Sequence, residues 1–178
     1  MKTINKGKTR VYTELMVVPL ETKLSHLKDD RAVMVDISDK KIVDRSAIAV
    51  GEILLSDSTI ERIKSGTIEK GNVLATARTA AILGVKRTPE LIPMCHQIPI
   101  TGVDVKFTFE KNSIIASVEV RSVGRTGVEM EALTGVSIAL LTVWDMVKSI
   151  EKDNTGNYPH TSINNINVLE KVKGTKSN

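Results

Sequence analysis

A chain of 178 residues, 41% apolar and 26% charged, is long enough for one domain with a hydrophobic core and too apolar to be largely disordered. Its formal net charge of +4 comes from the two ends, because the excess of lysine and arginine lies within residues 1–31 and 170–178. With a near-neutral middle and only 3% aromatic residues, generic nucleic-acid binding is disfavoured, and neither a nucleic-acid nor a membrane partner is expected.

Signals for export, membrane insertion and metal binding are weak. No apolar run approaches the roughly 18 residues of a membrane span. The apolar stretch 15–18 is shorter than a secretory apolar region of about 7–15 residues, so we expect a cytoplasmic protein. The single cysteine, Cys95, excludes an internal disulfide and a cysteine-built zinc site. No cofactor is expected, although a carboxylate site for magnesium stays open.

The first part of the chain predicts an extension, two strands and a capped helix. Residues 1–30 mix lysine, threonine and glutamate without a sustained period, so we expect an N-terminal extension. Apolar runs predict strands within residues 31–39 and at 47–50. The Ser-Asp-Ser sequence at 56–58 predicts the start of a helix, and Gly66 predicts its end.

A second helix and a hairpin are predicted next. The alanine- and leucine-rich stretch 73–83 predicts a helix that ends at Gly84, and two prolines predict an irregular loop over 91–99. Alternating apolar and polar residues predict two half-buried strands, 103–110 and 114–121, which are joined by a tight turn.

A long helix and a short apolar segment complete the predicted domain, which covers residues 31–169. The longest helix is predicted from 128 to about 152, and residues 163–169 are predicted to close the fold. A flexible lysine-bearing tail is expected over 170–178. Interspersed helices and antiparallel strands indicate an α+β fold in which helices cover the sheet.

The long helix has two unlike faces. A predicted apolar arc packs on the sheet and comprises Val136, Ala139, Leu140, Val143, Met146, Val147 and Ile150. The opposite face mixes charged and large aliphatic side chains and comprises Glu131, Thr134, Ile138, Leu141, Thr142, Asp145 and Lys148. Such a mixture is typical of a face that lines a cleft or a subunit interface.

Asp145 and Lys148 stand three residues apart on this face and can touch across one helical turn. In a sheltered cleft, a carboxylate beside an amine is a usable acid/base pair. On an open surface, the same spacing gives only a weak ion pair. Spacing alone leaves both interpretations open.

Four further candidates are ambiguous when each is taken alone. His96, in a loop between prolines, is either a structural or a binding histidine, and Cys95 is either a packed thiol or a nucleophile. Lys70, in a predicted turn, is either solvated or functional. The glycine-bearing turn 124–127 resembles an anion-binding turn, but Glu129 at the start of the helix would repel an anion.

Two long segments of the chain carry specific motifs. They read KGNVLATARTAAILGVKRTPELIPMCHQIPI over residues 70–100 and RTGVEMEALTGVSIALLTVWDMVKSIEKD over residues 125–153. The strings LIPMCH, TGVEMEALT and DMVKS, in this order, resemble the molybdenum cofactor biosynthesis protein C family, whose members are cyclic pyranopterin monophosphate synthases. The resemblance covers residues 31–176.

The resemblance implies a fold and a reaction. The fold is a ferredoxin-like antiparallel sheet covered by helices on one face, in a homo-oligomeric hexamer (a trimer of dimers) with active sites at a dimer interface. The reaction is a lyase step of molybdenum cofactor biosynthesis. Acid/base catalysis converts (8S)-3′,8-cyclo-7,8-dihydroguanosine 5′-triphosphate, supplied by the preceding radical enzyme, into cyclic pyranopterin monophosphate with release of pyrophosphate. Such chemistry needs proton transfer and anion binding but no redox cofactor.

The resemblance also assigns roles to the candidate residues. Asp145 and Lys148 match the catalytic pair, with Lys148 as proton donor or acceptor and Asp145 as its partner or base. The substrate-binding residues implied are Lys70, near the phosphates, and Met94, Cys95, His96, Glu129, Met130, Glu131 and Lys171. No metal ligand is implied.

Three features depart from the family pattern. Arg125 stands where lysine is common, and because arginine does not exchange protons, a binding or structural role is expected. Gln97 replaces a common proline. The spacing of the tail differs by one residue, which leaves Lys171 and Lys173 as alternatives for the functional tail lysine.

A non-catalytic nucleotide-binding sensor or scaffold on the same fold is the alternative function.

Overall fold

The computed structural model describes residues 27–28 and 31–174. The chain divides into two compact units, Met1–Val33 and Met34–Asn178. In the first unit, the described residues pair as two short antiparallel strands, β1 (Leu27–Lys28) and β2 (Arg31–Ala32). The rest of the predicted N-terminal extension lies outside the described residues.

The second unit contains a four-stranded sheet. In chain order its elements are β3 (Val43–Leu54), α1 (Asp57–Ser65), α2 (Val73–Lys86), α3 (Thr88–Leu91), β4 (Ile100–Phe109), β5 (Ser113–Gly124), α4 (Glu129–Glu151) and β6 (Ser162–Lys173). The strand order is β4-β5-β3-β6, and every neighbouring pair is antiparallel. Helices α2 and α4 pack on one side of the sheet and against each other. This is the predicted α+β ferredoxin-like fold.

Apolar side chains of the strands and of α4 form one core. Along β5, the predicted alternation holds, because Ile114, Ala116, Val118 and Val120 are all fully buried. The predicted apolar arc of α4 is also buried except at Ile150, which is 36% exposed. The buried part of the arc therefore ends at Val147, before the end of the helix. Within the described part of the chain, α4 alone is long and apolar enough to cross a membrane, but the core helix of a soluble protein has the same properties.

Predicted boundaries of several elements are confirmed or corrected. Helix α1 begins after Ser56, whose side chain accepts a backbone hydrogen bond, and it ends at Gly66 with a φ of 70°, as predicted. The predicted strand at 47–50 is the middle of the longer β3, whereas the strand predicted within 31–39 is limited to β2. Residues 92–99 form the predicted irregular loop.

Helix α2 does not end at Gly84, as the sequence predicts, but continues to Lys86. Gly84 serves as a packing contact instead of a helix stop. A Cβ atom at this position would lie 2.9 Å from Cγ1 of Ile138 on α4. The absence of a side chain therefore lets α2 and α4 approach closely at this point.

The structure corrects the predicted start of the C-terminal tail. Residues 170–173 were expected to be flexible, yet they continue β6, where Glu170 pairs with Ile48 and Lys173 pairs with Arg45 of β3. Residues 170–173 are mostly charged, which is typical of a solvated tail. A water-exposed edge strand has the same composition, so composition alone does not separate the two. Residues 175–178 lie outside the described residues.

Candidate active site

Three of the predicted site residues form one cluster on the outer side of α4. Asp145 Oδ1 lies 2.8 Å from Lys148 Nζ, and Asp145 Oδ2 lies 2.9 Å from Lys70 Nζ. Lys70 Nζ also donates a hydrogen bond to the backbone carbonyl of Asp145 at 2.6 Å. One carboxylate thus holds two ammonium groups, and all three side chains are about half exposed.

Helix spacing and a capped turn position this cluster. Asp145 and Lys148 meet across one turn of α4, as their spacing predicts. Lys70 stands in the turn before α2, where Gly71 has a φ of 95° and Asn72 caps the helix by accepting a hydrogen bond from the Ala75 amide. Because α2 packs against α4, the start of α2 brings Lys70 to Asp145, although the two are 75 residues apart.

The two lysines determine the charge state of the cluster. Hydrogen bonds from Lys148 first and Lys70 second lower the pKa of Asp145 to about 2. In return, the hydrogen-bonded Asp145 carboxylate raises the pKa of Lys148. A carboxylate with so low a pKa is a weak base, whereas Lys148 carries a proton at neutral pH. The cluster therefore presents a protonated Lys148 and can attract an anionic ligand with two cations.

We expect the pKa of Asp145 to rise from about 2 toward the ordinary value of about 3.9 when either lysine is removed. The rise should be greater for Lys148→Ala than for Lys70→Ala, because the hydrogen bond from Lys148 is the larger cause. Carboxyl ¹³C NMR measures this titration. Lys64→Ala, which breaks the i,i+3 ion pair with Glu61 on α1, is the matched control and should leave Asp145 unchanged. A wild-type Asp145 that titrates near 4 would contradict the cluster.

A second group of predicted site residues lies at the start of α4. Glu129 Oε1 lies 2.7 Å from Lys171 Nζ on β6, so Lys171 rather than Lys173 contacts a predicted site residue. Burial raises the pKa of Glu129, but the hydrogen bond from Lys171, a backbone hydrogen bond and the charges of Lys171 and Arg45 together outweigh burial, and the net pKa is lowered. The Glu129 carboxylate folds back over Gly127, where any Cβ would collide with it. The glycine thus makes room for this carboxylate rather than for a bound anion.

Glu131 is buried, although the sequence placed it on the outer face of the helix. It is 2% exposed and lines a pocket of about 270 Å³ whose other polar residues are Lys86, Glu90 and Gln97. Burial raises the pKa of Glu131, and the charge of Glu129 raises it further. Burial, with a contribution from Glu131, also raises the pKa of the Cys95 thiol. A thiol with a raised pKa is not activated as a nucleophile, which favours the packed-thiol interpretation.

The remaining predicted substrate contacts lie in the loop before β4 and at the start of α4. His96 Nε2 lies 2.8 Å from the carbonyl oxygen of Val35. Met94 and Met130 are 37% and 39% exposed, so both present apolar surface. Among residues 27–28 and 31–174, no group of three or more His, Cys, Asp or Glu residues is placed to hold a metal ion.

Arg125 has a structural role. Its guanidinium donates hydrogen bonds to the backbone carbonyls of Ser38 and Lys40, the latter at 2.9 Å. These bonds fasten the segment before β3 to the turn before α4. These hydrogen bonds agree with the expectation of a binding or structural role for Arg125.

The Asp145 cluster and the Glu131 pocket lie far apart within one protomer. Both residues belong to α4, and fourteen residues at about 1.5 Å each separate them by about 21 Å. Groups that act on the same atoms must lie within hydrogen-bond reach of those atoms. Within one protomer, the two groups of residues therefore cannot act on the same reacting centre.

One residue near the Asp145 cluster has no sequence signal. The ring of Tyr158, from the loop after α4, lies edge-on to Trp144, with ring centroids 5.5 Å apart and an interplanar angle of 72°. Trp144 immediately precedes Asp145. A single tyrosine in a polar loop forms no pattern, so sequence reasoning had no means of finding this contact.

Comparisons with known proteins identify the family of the chain. The model of the MoaC family matches residues 34–174. A Methanococcoides burtonii protein named probable cyclic pyranopterin monophosphate synthase is 71% identical over 156 residues, which cover 88% of this chain and 98% of that protein. Proteins of the same name from Methanosarcina acetivorans and Pyrococcus horikoshii are 68% and 58% identical, over 87% and 84% of this chain and 98% and 94% of their own lengths.

Proposed function

This chain belongs to the MoaC family of molybdenum cofactor biosynthesis, and we propose that it is a lyase, a cyclic pyranopterin monophosphate synthase that acts on (8S)-3′,8-cyclo-7,8-dihydroguanosine 5′-triphosphate. The observation that carries this proposal is the Asp145 carboxylate with Lys148 and Lys70 both bound to it. The family resemblance expects the catalytic pair at two of these positions and a phosphate-binding lysine at the third. Two adjacent cations suit a substrate that carries a triphosphate.

In the proposed reaction, these residues have distinct roles. Lys148, which forms an ion pair with Asp145, donates a proton during opening of the purine-derived ring. Lys70 binds the phosphates, and Asp145 holds both lysines in place. The buried Glu131 accepts hydrogen bonds from the amino and ring N–H groups of the substrate. An oxygen of the substrate then attacks the α-phosphate, and pyrophosphate leaves.

The distance between the Asp145 cluster and the Glu131 pocket supports a homo-oligomer. If one protomer supplies the first and its partner supplies the second, both can reach one substrate. Leu141, between them on α4, is 54% exposed, and such apolar surface is typical of an interface. We therefore propose the hexamer, a trimer of dimers, with active sites shared between protomers. Sedimentation equilibrium, referred to the chain mass of 19.5 kDa, tests the stoichiometry.

Activity should return when two inactive variants are mixed, provided that each site draws on two protomers. Lys148→Ala and Glu131→Ala remove different halves of the site, so co-refolded oligomers contain some sites with both halves intact. Lys148→Ala with Lys70→Ala is the matched control, because both changes affect the same half and no mixed site is intact. Pyrophosphate release by the first mixture alone is the expected result. Equal activity of the two mixtures would contradict shared sites.

The other proposed partners are limited to small molecules. The substrate comes from the preceding radical enzyme of the pathway, and magnesium on its phosphates is the one metal ion proposed. The lysine cluster supports an anionic small-molecule ligand, and the near-neutral middle of the chain supports the absence of nucleic-acid and membrane partners. The single cysteine is consistent with a cytoplasmic protein.

Release of pyrophosphate from the enzymatically prepared substrate tests the proposed function. Rapid release, with formation of cyclic pyranopterin monophosphate, is the expected result. The alternative, a non-catalytic nucleotide-binding sensor on the same fold, predicts tight binding of the substrate by a folded protein without any release. Isothermal titration calorimetry on the same preparation distinguishes the two outcomes, because it measures binding separately from turnover.

A further inference from the structure

Hydrogen bonds among residues 153–157 hold the loop that follows α4 in one conformation. The Asp153 carboxylate accepts hydrogen bonds from the Thr155 amide at 2.8 Å, the Thr155 hydroxyl at 2.6 Å and the Asn157 amide at 3.0 Å. The Asp153 amide donates to the Asn157 carbonyl, and the Gly156 amide donates to the Asp153 carbonyl. These bonds return the chain to α4 immediately before Tyr158.

Tyr158 lies over the stripe of α4 that contains Lys148. Trp144 and Lys148 are four residues apart and share one face of α4, and Lys152, the residue that follows α4, comes at the same spacing. The Tyr158 ring contacts Trp144 at the start of this stripe, with centroids 5.5 Å apart, and Lys152 Nζ at its end lies 6.0 Å from the Tyr158 centroid. Lys148 stands between these two positions along the helix, with Trp144 one turn before it and Lys152 one turn after it.

Electrostatics supports the same placement. The pKa of Lys148 is raised mainly by Asp145, and Tyr158 contributes to the shift in the same direction. This contribution is consistent with a Tyr158 side chain near the Lys148 ammonium group.

We propose that Tyr158 is a positioning residue for the reaction, one that restricts the Lys148 side chain to the conformation in which its ammonium group bonds Asp145. The expected effect on kcat rests on the proposed function, whereas the restriction of the Lys148 side chain does not. Lysine has a long, freely rotating side chain, and an ammonium group that swings away from Asp145 is misplaced for proton transfer. A ring over the methylene groups of Lys148 removes those alternative conformations. The aromatic ring of Tyr158, rather than its hydroxyl group, restricts the Lys148 side chain.

Three variants test the proposal without reference to activity. Tyr158→Ala removes the ring, Tyr158→Phe keeps it, and Asn154→Ala, at an exposed position of the same loop, is the matched control. Acetylation of surface amines, read by mass spectrometry, should be several-fold faster at Lys148 in Tyr158→Ala and unchanged in the other two. Lys64, in a similar i,i+3 pair, is the internal reference. Trp144 is the only tryptophan of the chain, so its near-ultraviolet circular dichroism reports loss of the ring contact directly.

Kinetics then tests the consequence for the reaction. Tyr158→Ala should lower kcat about tenfold with little change in KM, because it disturbs the proton donor rather than substrate binding, and Tyr158→Phe should restore kcat. Unchanged acetylation of Lys148 in Tyr158→Ala, or equal losses in the alanine and phenylalanine variants, would overturn the proposal. If Tyr158→Ala does not fold, Tyr158→Ser, which also removes the ring and leaves a small side chain suited to a loop, carries the same expectations. A wild-type protein that releases no pyrophosphate would overturn the proposed function, while the acetylation result would still decide the position of Tyr158.

Discussion

Replacing Lys148 by alanine is expected to lower kcat for pyrophosphate release by about 10²–10⁴-fold, the usual contribution of one general acid. The side chain is 48% exposed and forms an ion pair with Asp145, so its removal should leave the fold intact. The loss should fall on kcat more than on KM, because Lys70 stays in place to bind the phosphates. Measurement of pyrophosphate release over a range of substrate concentrations separates the two parameters.

Two controls separate proton transfer by Lys148 from the presence of its charge. Lys64→Ala removes a lysine from an i,i+3 pair of similar exposure, at 3.1 Å from Glu61 on α1, and should leave kcat unchanged within about twofold. Lys148→Arg keeps the positive charge but does not give up a proton, so it should be nearly as inactive as the alanine variant. An arginine variant with wild-type kcat would show that Lys148 acts through its charge alone. An active alanine variant would remove Lys148 from the catalytic pair.

Local patterns in the sequence predict much of the fold, because caps and alternation depend on neighbouring residues. Ser56 and Gly66 bound α1 as predicted, and the strand pattern around residues 114–121 puts the right side chains into the core. The prediction is wrong where a distant partner decides the structure. Gly84 continues a helix because Ile138 of α4 occupies the space of its missing side chain. Residues 170–173 form a strand because β3 pairs with them.

The candidate site shows the same division between local and distant information. The Asp145–Lys148 contact is local and follows from helical spacing. The contact of Lys70 with Asp145 joins two helices through their packing, and the contact of Tyr158 with Trp144 depends on the return of a loop, so neither has a signature in spacing. Glu131 shows why an angular position on a helix is insufficient. It lies on nearly the same face as Asp145, yet the turn that it occupies is covered by neighbouring elements and it is buried.

A buried carboxylate at the end of α4 joins three elements and supports the helix turn that carries Lys148. Glu151 is 8% exposed. Its oxygens accept hydrogen bonds from the Ser56 amide at 3.2 Å and hydroxyl at 2.7 Å, at the start of α1, and from the Thr161 hydroxyl at 2.6 Å, before β6. Burial raises the pKa of Glu151, but the hydrogen bonds from Thr161, Thr59 and Ser56 outweigh burial, and the net pKa is lowered.

Glu151→Ala is expected to lower the free energy of unfolding by about 3 kcal/mol, because it leaves the Ser56 and Thr161 donors without their acceptor in a largely buried site. Glu61→Ala, which removes a glutamate whose side chain is 73% exposed, is the matched control and should change stability by less than about 0.5 kcal/mol. Urea denaturation at neutral pH, followed by circular dichroism, measures both. Equal midpoints for the two variants would contradict a structural role for the Glu151 network.

The pH dependence of the unfolding free energy separates the contribution of the Glu151 charge from the contribution of its packing. Because the pKa of Glu151 is lower in the folded than in the unfolded protein, its charge stabilises the fold above the unfolded value of about 4.3. That contribution disappears as the pH falls through the folded pKa and the carboxylate binds a proton. Glu151→Gln keeps the shape without the charge, so the difference in unfolding free energy between wild type and this variant should be full at pH 7 and shrink steadily below pH ~4. A difference that stays constant down to the acid transition would mean that the carboxylate contributes through packing alone.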